Sequence, residues 1–127
     1  MIRVLLVAAG GALGSVARYG VGAAAAQLLG PGFPWGTLLV NVTGSFLIAL
    51  IMHLALTGTS ISLELRIFLT TGCMGGFTTY SSFNHETLAL LNQRAYVLAG
   101  LNLGGTVAGC LLAGLLGLAA GRAWVGG

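Results

Sequence analysis

The chain has 127 residues, of which 57% are hydrophobic and only 6% are charged. Soluble domains carry about 25% charged residues, so this chain has too few to cover a water-facing surface and is predicted to be an integral membrane protein. Its five cations are all arginines, and a net charge of +3 is too sparse for a nucleic-acid-binding surface, so no nucleic acid is expected among its partners.

Four apolar segments are long enough to cross about 30 Å of hydrocarbon. They span residues 2–29, 35–56, 63–92 and 95–122. The first ends before residues 30–34, where two prolines and two glycines cannot continue a helix. The second begins at Trp35, which fits an interfacial aromatic anchor. The segments predict an all-α membrane protein, a single transmembrane domain of residues 1–127.

The third segment is predicted to be broken mid-membrane, between residues 75 and 80. It reads as helical to about Met74, breaks at Gly75 and Gly76, and then resumes as a helix. Backbone in lipid must satisfy its own hydrogen bonds, so a break rich in glycines and hydroxyl groups is expected only where it is buried or lines a cavity. The break is therefore the predicted functional site, and it indicates that something small crosses the membrane there.

The first two spans each contain a polar side chain that must have a structural or functional role, because placing polar groups at membrane depth costs free energy. Arg18 either snorkels or pairs with a carboxylate, or it draws anions toward a vestibule. Asn41 either bonds a neighbouring helix or donates from its amide to a permeating anion. Both alternatives remain open for each residue.

Aromatic rings and two polar stripes accompany the break. Tyr80 and Phe83 share a helix face, where they either pack or turn their positive ring edges toward an anion. Two stripes at helical spacing form either a hydrogen-bonding track or bonds between helices: Thr79, Ser82 and Glu86 on the third span, and Asn102, Thr106 and Cys110 on the fourth.

The arginines give a weak orientation signal. Arg3, Arg66 and Arg122 fall on one side of the membrane and Arg94 on the other, which slightly favours a cytoplasmic N-terminus and permits insertion in both orientations. Four thin, glycine-rich helices enclose little space, so a pore is expected to need a partner chain.

Three other classes of protein fit the sequence less well than a channel does. The chain has no GxSxG motif, no P-loop and no paired carboxylates, so it is not predicted to be an enzyme. A small multidrug-type proton-coupled exporter also has four spans, but it needs a carboxylate in the first span, where this chain has Arg18. A membrane assembly subunit without transport of its own, whose polar groups only join helices, is the second alternative.

Three motifs in order resemble the signatures of the CrcB/Fluc fluoride channel family. They are GGALGSVARY (residues 10–19), GTLLVNVTGSF (residues 36–46) and GCMGGFTTYSSFNHE (residues 72–86). The resemblance covers essentially the whole chain. It implies a passive, fluoride-selective channel that exports fluoride and relieves its toxicity. It also implies an antiparallel, dual-topology homodimer with two pores in the bacterial inner (plasma) membrane, in contact with lipid.

The resemblance also assigns roles to residues. Asn41 matches the family's pore asparagine, Phe83 matches the second of two pore phenylalanines, and Tyr80 stands where the first is usually Phe. Main-chain carbonyls at Gly75 and Thr78 match those that hold a structural sodium ion at the dimer centre. The remaining fluoride-pathway positions are Arg18 near the vestibule and a polar track of Thr79, Ser82, Glu86, Asn102, Thr106 and Cys110.

Overall fold

The first half of the chain forms two long helices. A computed structural model describes residues 1–58 and 60–126, and its regular structure is entirely helical. Helix α1 spans Ile2–Leu29 and helix α2 spans Trp35–Leu56. Gly30 ends α1 in the left-handed region, at a φ of 84°, which glycine adopts without strain. Pro34, whose ring fixes its φ, directly precedes α2.

The third span consists of several short pieces, which together are called the broken unit. These are α3 (Leu63–Ile67), a π-helical segment (Phe68–Met74), α4 (Gly75–Phe77) and α5 (Tyr80–Asn92). Ser62 caps α3 by accepting a hydrogen bond from the backbone N–H of Leu65. In the π segment the turns widen, as shown by the bond from the N–H of Gly75 to the carbonyl of Thr70, five residues back.

The helical break lies within the predicted range of residues 75–80, but at two threonines that follow the glycines. Thr78 and Thr79 are extended, whereas Gly75 and Gly76 are helical. These glycines serve packing instead: a Cβ added to Gly76 would lie 2.5 Å from the carbonyl oxygen of Gly11 on α1. The small residue therefore lets α1 approach α4, and the chain leaves the helical path only after Phe77.

Helix α6, Tyr96–Gly126, completes the fold and extends beyond the predicted span. A tight turn joins it to α5, with Arg94 in the left-handed region at a φ of 60°. Helix α6 packs most extensively on α2, and α1 packs on the π segment and α4. Close approach requires glycine at Gly117, where a Cβ would collide with the carbonyl of Phe46 on α2.

The helices suit a membrane. By length and composition, α1, α2 and α6 can each cross a bilayer. The broken unit lies between α2 and α6 in the chain, so that four helical spans fit the fold. The prediction of an all-α protein is confirmed for the described residues.

Candidate functional site

Two cavities lie on either side of the break. The break cavity, of about 410 Å³, borders α2, the broken unit and α6. The Arg18 cavity, of about 570 Å³, borders α1, α2 and α5. Thr79 lines both of them, so the extended residues of the break separate two spaces that a small ion could connect.

Asn41 holds the break from α2. Its Nδ2 donates to the carbonyl of Thr79 at 3.0 Å, and its Oδ1 accepts from the N–H of Thr79 at 2.8 Å. One buried amide thus satisfies both backbone groups of an extended residue, which has no helical partners for them. Nδ2 carries a second N–H that neither bond uses, and Asn41 borders the break cavity.

Thr79 starts the second half of the broken unit. Its Oγ1 accepts from the N–H of Ser82 at 3.2 Å, which is the usual capping bond at the first turn of a helix. The same hydroxyl lies 3.4 Å from Oγ of Ser81. The sequence TTYSS therefore ends one helix and begins the next within two residues.

The break leaves two carbonyls without their helical donors. In a continuous helix the carbonyls of Gly75 and Thr78 would accept from the N–H groups of Thr79 and Ser82. Those N–H groups instead donate to side chains, Oδ1 of Asn41 and Oγ1 of Thr79. Gly75 and Thr78 both border the break cavity, so oxygen acceptors are available there.

Two aromatic rings meet beside the break. Phe83 is 5% exposed, and its ring lies 5.6 Å from that of Tyr80, in an edge-to-face arrangement at 75°. Both rings border the break cavity. Tyr80 is 77% exposed on the isolated chain, so one side of this cavity opens to the surface.

The Arg18 cavity brings together opposite charges without pairing them in a salt bridge. Arg18 donates from Nε to the carbonyl of Gly76 at 3.0 Å. Oε1 of Glu86 accepts a hydrogen bond of 2.5 Å from the hydroxyl of Thr37. Thr37, Glu86 and Ser82 all line this cavity. The first of the two interpretations of Arg18 is thus modified, because its partner is a carbonyl at the break rather than a carboxylate.

The polar stripe on α6 lies partly along the break cavity and partly in the protein interior. Thr106 and Cys110 line the break cavity. Asn102 lines neither cavity: it is 1% exposed, and its Nδ2 donates to Oγ1 of Thr87 on α5 at 2.9 Å. Oγ1 of Thr106 donates to Oδ1 of Asn102 at 3.5 Å. Asn102 thus makes a bond between helices, which is one of the two interpretations of the stripe, and its place on the fluoride pathway stays a prediction.

Two residues that sequence reasoning missed belong to these networks. Thr37 lies four residues before Asn41, on the same face of α2, and binds Glu86. Thr87 lies four residues after Phe83, to whose carbonyl its hydroxyl donates at 2.8 Å, and it is the partner of Asn102. In both cases the available signal was a hydroxyl one helical turn from a residue already singled out.

Comparisons with known proteins agree with the motifs. The family described as "CrcB-like protein, Camphor Resistance (CrcB)" matches residues 5–118. A protein of Anaeromyxobacter sp. (strain K) named "Fluoride-specific ion channel FluC" is 58% identical over 113 residues, which cover 89% of this chain and 90% of the relative.

Relatives of the same name occur in other bacteria. One from Thermus thermophilus is 52% identical over 99% of this chain and 100% of its own length. One from Agrobacterium fabrum is 47% identical over 96% of this chain and 98% of its own length. The family is one of ion channels, not enzymes, and its several apolar helices make this chain a multi-pass membrane protein. The chain belongs to the CrcB/FluC family.

Proposed function

We propose that the chain is a fluoride-selective passive channel that exports fluoride and so relieves its toxicity. The observation that carries this proposal is the break cavity, where polar groups and an aromatic pair converge on an interrupted span. Irregular backbone at membrane depth is tolerated where it lines such a cavity. Relatives that match nearly the whole chain are named fluoride-specific ion channels.

The lining residues suit fluoride chemically. Fluoride is small and strongly hydrated, so several close donors must replace its water. The free N–H of Asn41 and the hydroxyl of Thr79 can donate, and the hydroxyl of Thr106 can do so by giving up its 3.5 Å bond to Asn102. The ring of Phe83 offers a positive edge without a fixed charge that would trap the ion. Donors spaced closely enough to replace the water of fluoride favour it over the larger chloride ion.

The two cavities suggest a route for the anion. Arg18 binds the protein through Nε and keeps the four N–H groups of its terminal nitrogens, which attract an anion into the first cavity. The hydroxyl bond from Thr37 holds one oxygen of Glu86 and weakens the repulsion from this carboxylate. The ion then passes Ser82 and Thr79 to reach the break cavity.

The functional unit of this proposal is an antiparallel homodimer with two pores. The break cavity of one chain is open beside Tyr80, and Gly75 is also partly accessible, so a second copy can close the cavity. The small arginine bias, three on one side of the membrane and one on the other, permits both orientations in the bacterial inner membrane. Each copy would then contribute a wall to a pore that neither forms alone.

The proposed structural cofactor is a sodium ion held by the main-chain carbonyls of Gly75 and Thr78. Within residues 1–58 and 60–126, no three His, Cys, Asp or Glu side chains cluster as metal ligands, whereas these carbonyls have lost their helical donors. Carbonyl oxygens suit a hard monovalent cation. When bound, sodium supplies positive charge that offsets the negative ends of carbonyl dipoles at the dimer centre.

Fluoride efflux from liposomes that contain the purified protein tests the proposal. A fluoride electrode follows efflux without a pH gradient, with chloride as the control ion. Fast loss of fluoride with negligible loss of chloride is the expected result. Absence of flux from folded, dimeric protein would refute a passive channel and favour an assembly subunit. Flux that requires a proton gradient would favour a coupled exporter instead.

A further inference from the structure

The carbonyls of Gly75 and Thr78 lack their helical donors because two side chains, which also border the anion route, accept those N–H groups instead. Oδ1 of Asn41 takes the N–H of Thr79, and Oγ1 of Thr79 takes the N–H of Ser82. In sequence, each of these N–H groups follows its carbonyl, that of Gly75 or of Thr78, by four residues, so it would donate to that carbonyl if the break became helical. The side chains of Asn41 and Thr79 therefore compete with these two carbonyls for the N–H groups.

We propose that Asn41 and Thr79 are positioning residues for a monovalent cation, since they keep the carbonyls of Gly75 and Thr78 open to it. The inference rests on the sodium ion of the proposed function and adds what creates its ligands. Asn41 also donates to the carbonyl of Thr79 at 3.0 Å, which fixes the peptide on both sides. The same two side chains thus serve the anion route and the cation site.

Loss of either acceptor has a definite structural consequence. An N–H at the break that loses its partner is costly to leave unsatisfied, and the break can satisfy it by taking up helical geometry. In that geometry the N–H of Thr79, released by Asn41, donates to the carbonyl of Gly75. The N–H of Ser82, released by the hydroxyl of Thr79, likewise donates to the carbonyl of Thr78. A carbonyl that accepts this bond offers less to a cation, so cation affinity falls even though no ligand residue has changed.

The test measures cation binding through stability rather than flux. Purified full-length protein is melted in detergent at graded sodium chloride, with N-methyl-D-glucamine chloride replacing it at constant ionic strength. A ligand bound only by folded protein raises Tm with its concentration. For Asn41→Leu and Thr79→Val, the sodium concentration at the half-maximal rise in Tm should increase at least about tenfold.

Two further variants serve as controls. Thr79→Ser keeps the hydroxyl acceptor and should retain the sodium response, which a purely steric role of Thr79 does not predict. Thr57→Val makes the same isosteric change where the hydroxyl binds the carbonyl of His53, just after the last turn of α2, and should also respond as the unaltered protein does.

The outcomes separate this inference from the proposed function. No sodium response in the unaltered protein overturns the sodium site of the proposed function. A normal sodium response in Asn41→Leu and Thr79→Val overturns this inference alone. Amide hydrogen exchange needs no variant: the N–H of Thr79 should stay protected with and without sodium because Asn41 holds it, and exchange at the rate of a free amide also overturns the inference.

Discussion

Replacing Gly14 with alanine tests how closely α1 approaches the broken unit. The added Cβ would collide with the carbonyl oxygen of Cys73 and lie 2.8 Å from the backbone nitrogen of Phe77, where ordinary contacts begin at 3.4 Å. Both obstacles are backbone atoms, so the helices must separate. Such overpacking costs about 1–3 kcal/mol. Alanine returns up to about 1 kcal/mol through its higher helix propensity.

Gly11→Ala is the matched control on the same helix. A Cβ there meets nothing within 4 Å, so this variant has the propensity gain without the collision. The difference in free energy of unfolding between the two variants therefore isolates the collision, and we expect Gly14→Ala to be less stable by about 1–3 kcal/mol. Chemical unfolding in detergent, followed by the fluorescence of Trp35 and Trp124, measures it.

The same pair of variants has a functional readout. Separation of α1 from the broken unit moves the backbone that lines the break cavity, so fluoride efflux from Gly14→Ala should fall while Gly11→Ala conducts normally. Stabilities that agree within about 0.5 kcal/mol, the usual effect of a surface substitution, would refute the close packing of α1 described above.

Three further predictions concern the aromatic pair beside the break and the buried amide of Asn102. Phe83→Ile should reduce fluoride efflux at least about tenfold at an unchanged elution volume on size exclusion, because the ring edge is lost; normal flux would remove this ring from the pathway. Tyr80→Phe should keep efflux within about threefold, because the ring persists, whereas a collapse of flux would show that the hydroxyl contacts the ion. Asn102→Leu should cost about 2 kcal/mol of unfolding free energy by fluorescence, because Thr87 loses the donor to its hydroxyl oxygen and Thr106 loses its acceptor. Selectivity against chloride should be unchanged in that variant if Asn102 only joins helices, and lost selectivity at normal stability would place Asn102 on the pathway.

The long helices could be predicted from the sequence because their signals are local. Runs of apolar residues of sufficient length predicted α1 and α2 with bounds identical to those observed, 2–29 and 35–56. Residues 30–34 end one helix and precede the next through proline and glycine, whose effects on the backbone need no tertiary partner.

The break was predicted within residues 75–80, but its exact residues could not be predicted because tertiary contacts decide them. Glycine has a low helix propensity, yet Gly76 is helical, and its lack of a Cβ serves the close approach of α1. The extended backbone at Thr79 is stabilised by Asn41, 38 residues earlier, which satisfies both of its backbone groups. Nothing in the local sequence indicates that Asn41 lies opposite Thr79.

The role of Asn102 illustrates a second limit. Spacing by four residues correctly placed Asn102, Thr106 and Cys110 along one side of α6. A stripe along a helix does not specify its neighbour at each depth, however, and α5 covers the stripe at Asn102 before the break cavity begins at Thr106. Helical periodicity therefore predicted the face but not its boundary.

The unequal lengths of the helices determine how the protein fits a bilayer. At about 1.5 Å per residue, the 31 residues of α6 extend about 46 Å, whereas the 22 residues of α2 extend about 33 Å. Only α2 matches a hydrocarbon thickness of about 30 Å, so α6 must tilt or project into the headgroups. Asn41 lies about 9 Å from the Trp35 end of α2 and about 22 Å from the Leu56 end. The α2 residues that line the break cavity extend from Asn41 to Ile48, which lies about 12 Å from the Leu56 end. The cavity therefore lies near the middle of the one helix that matches the hydrocarbon thickness, roughly two helical turns from either end.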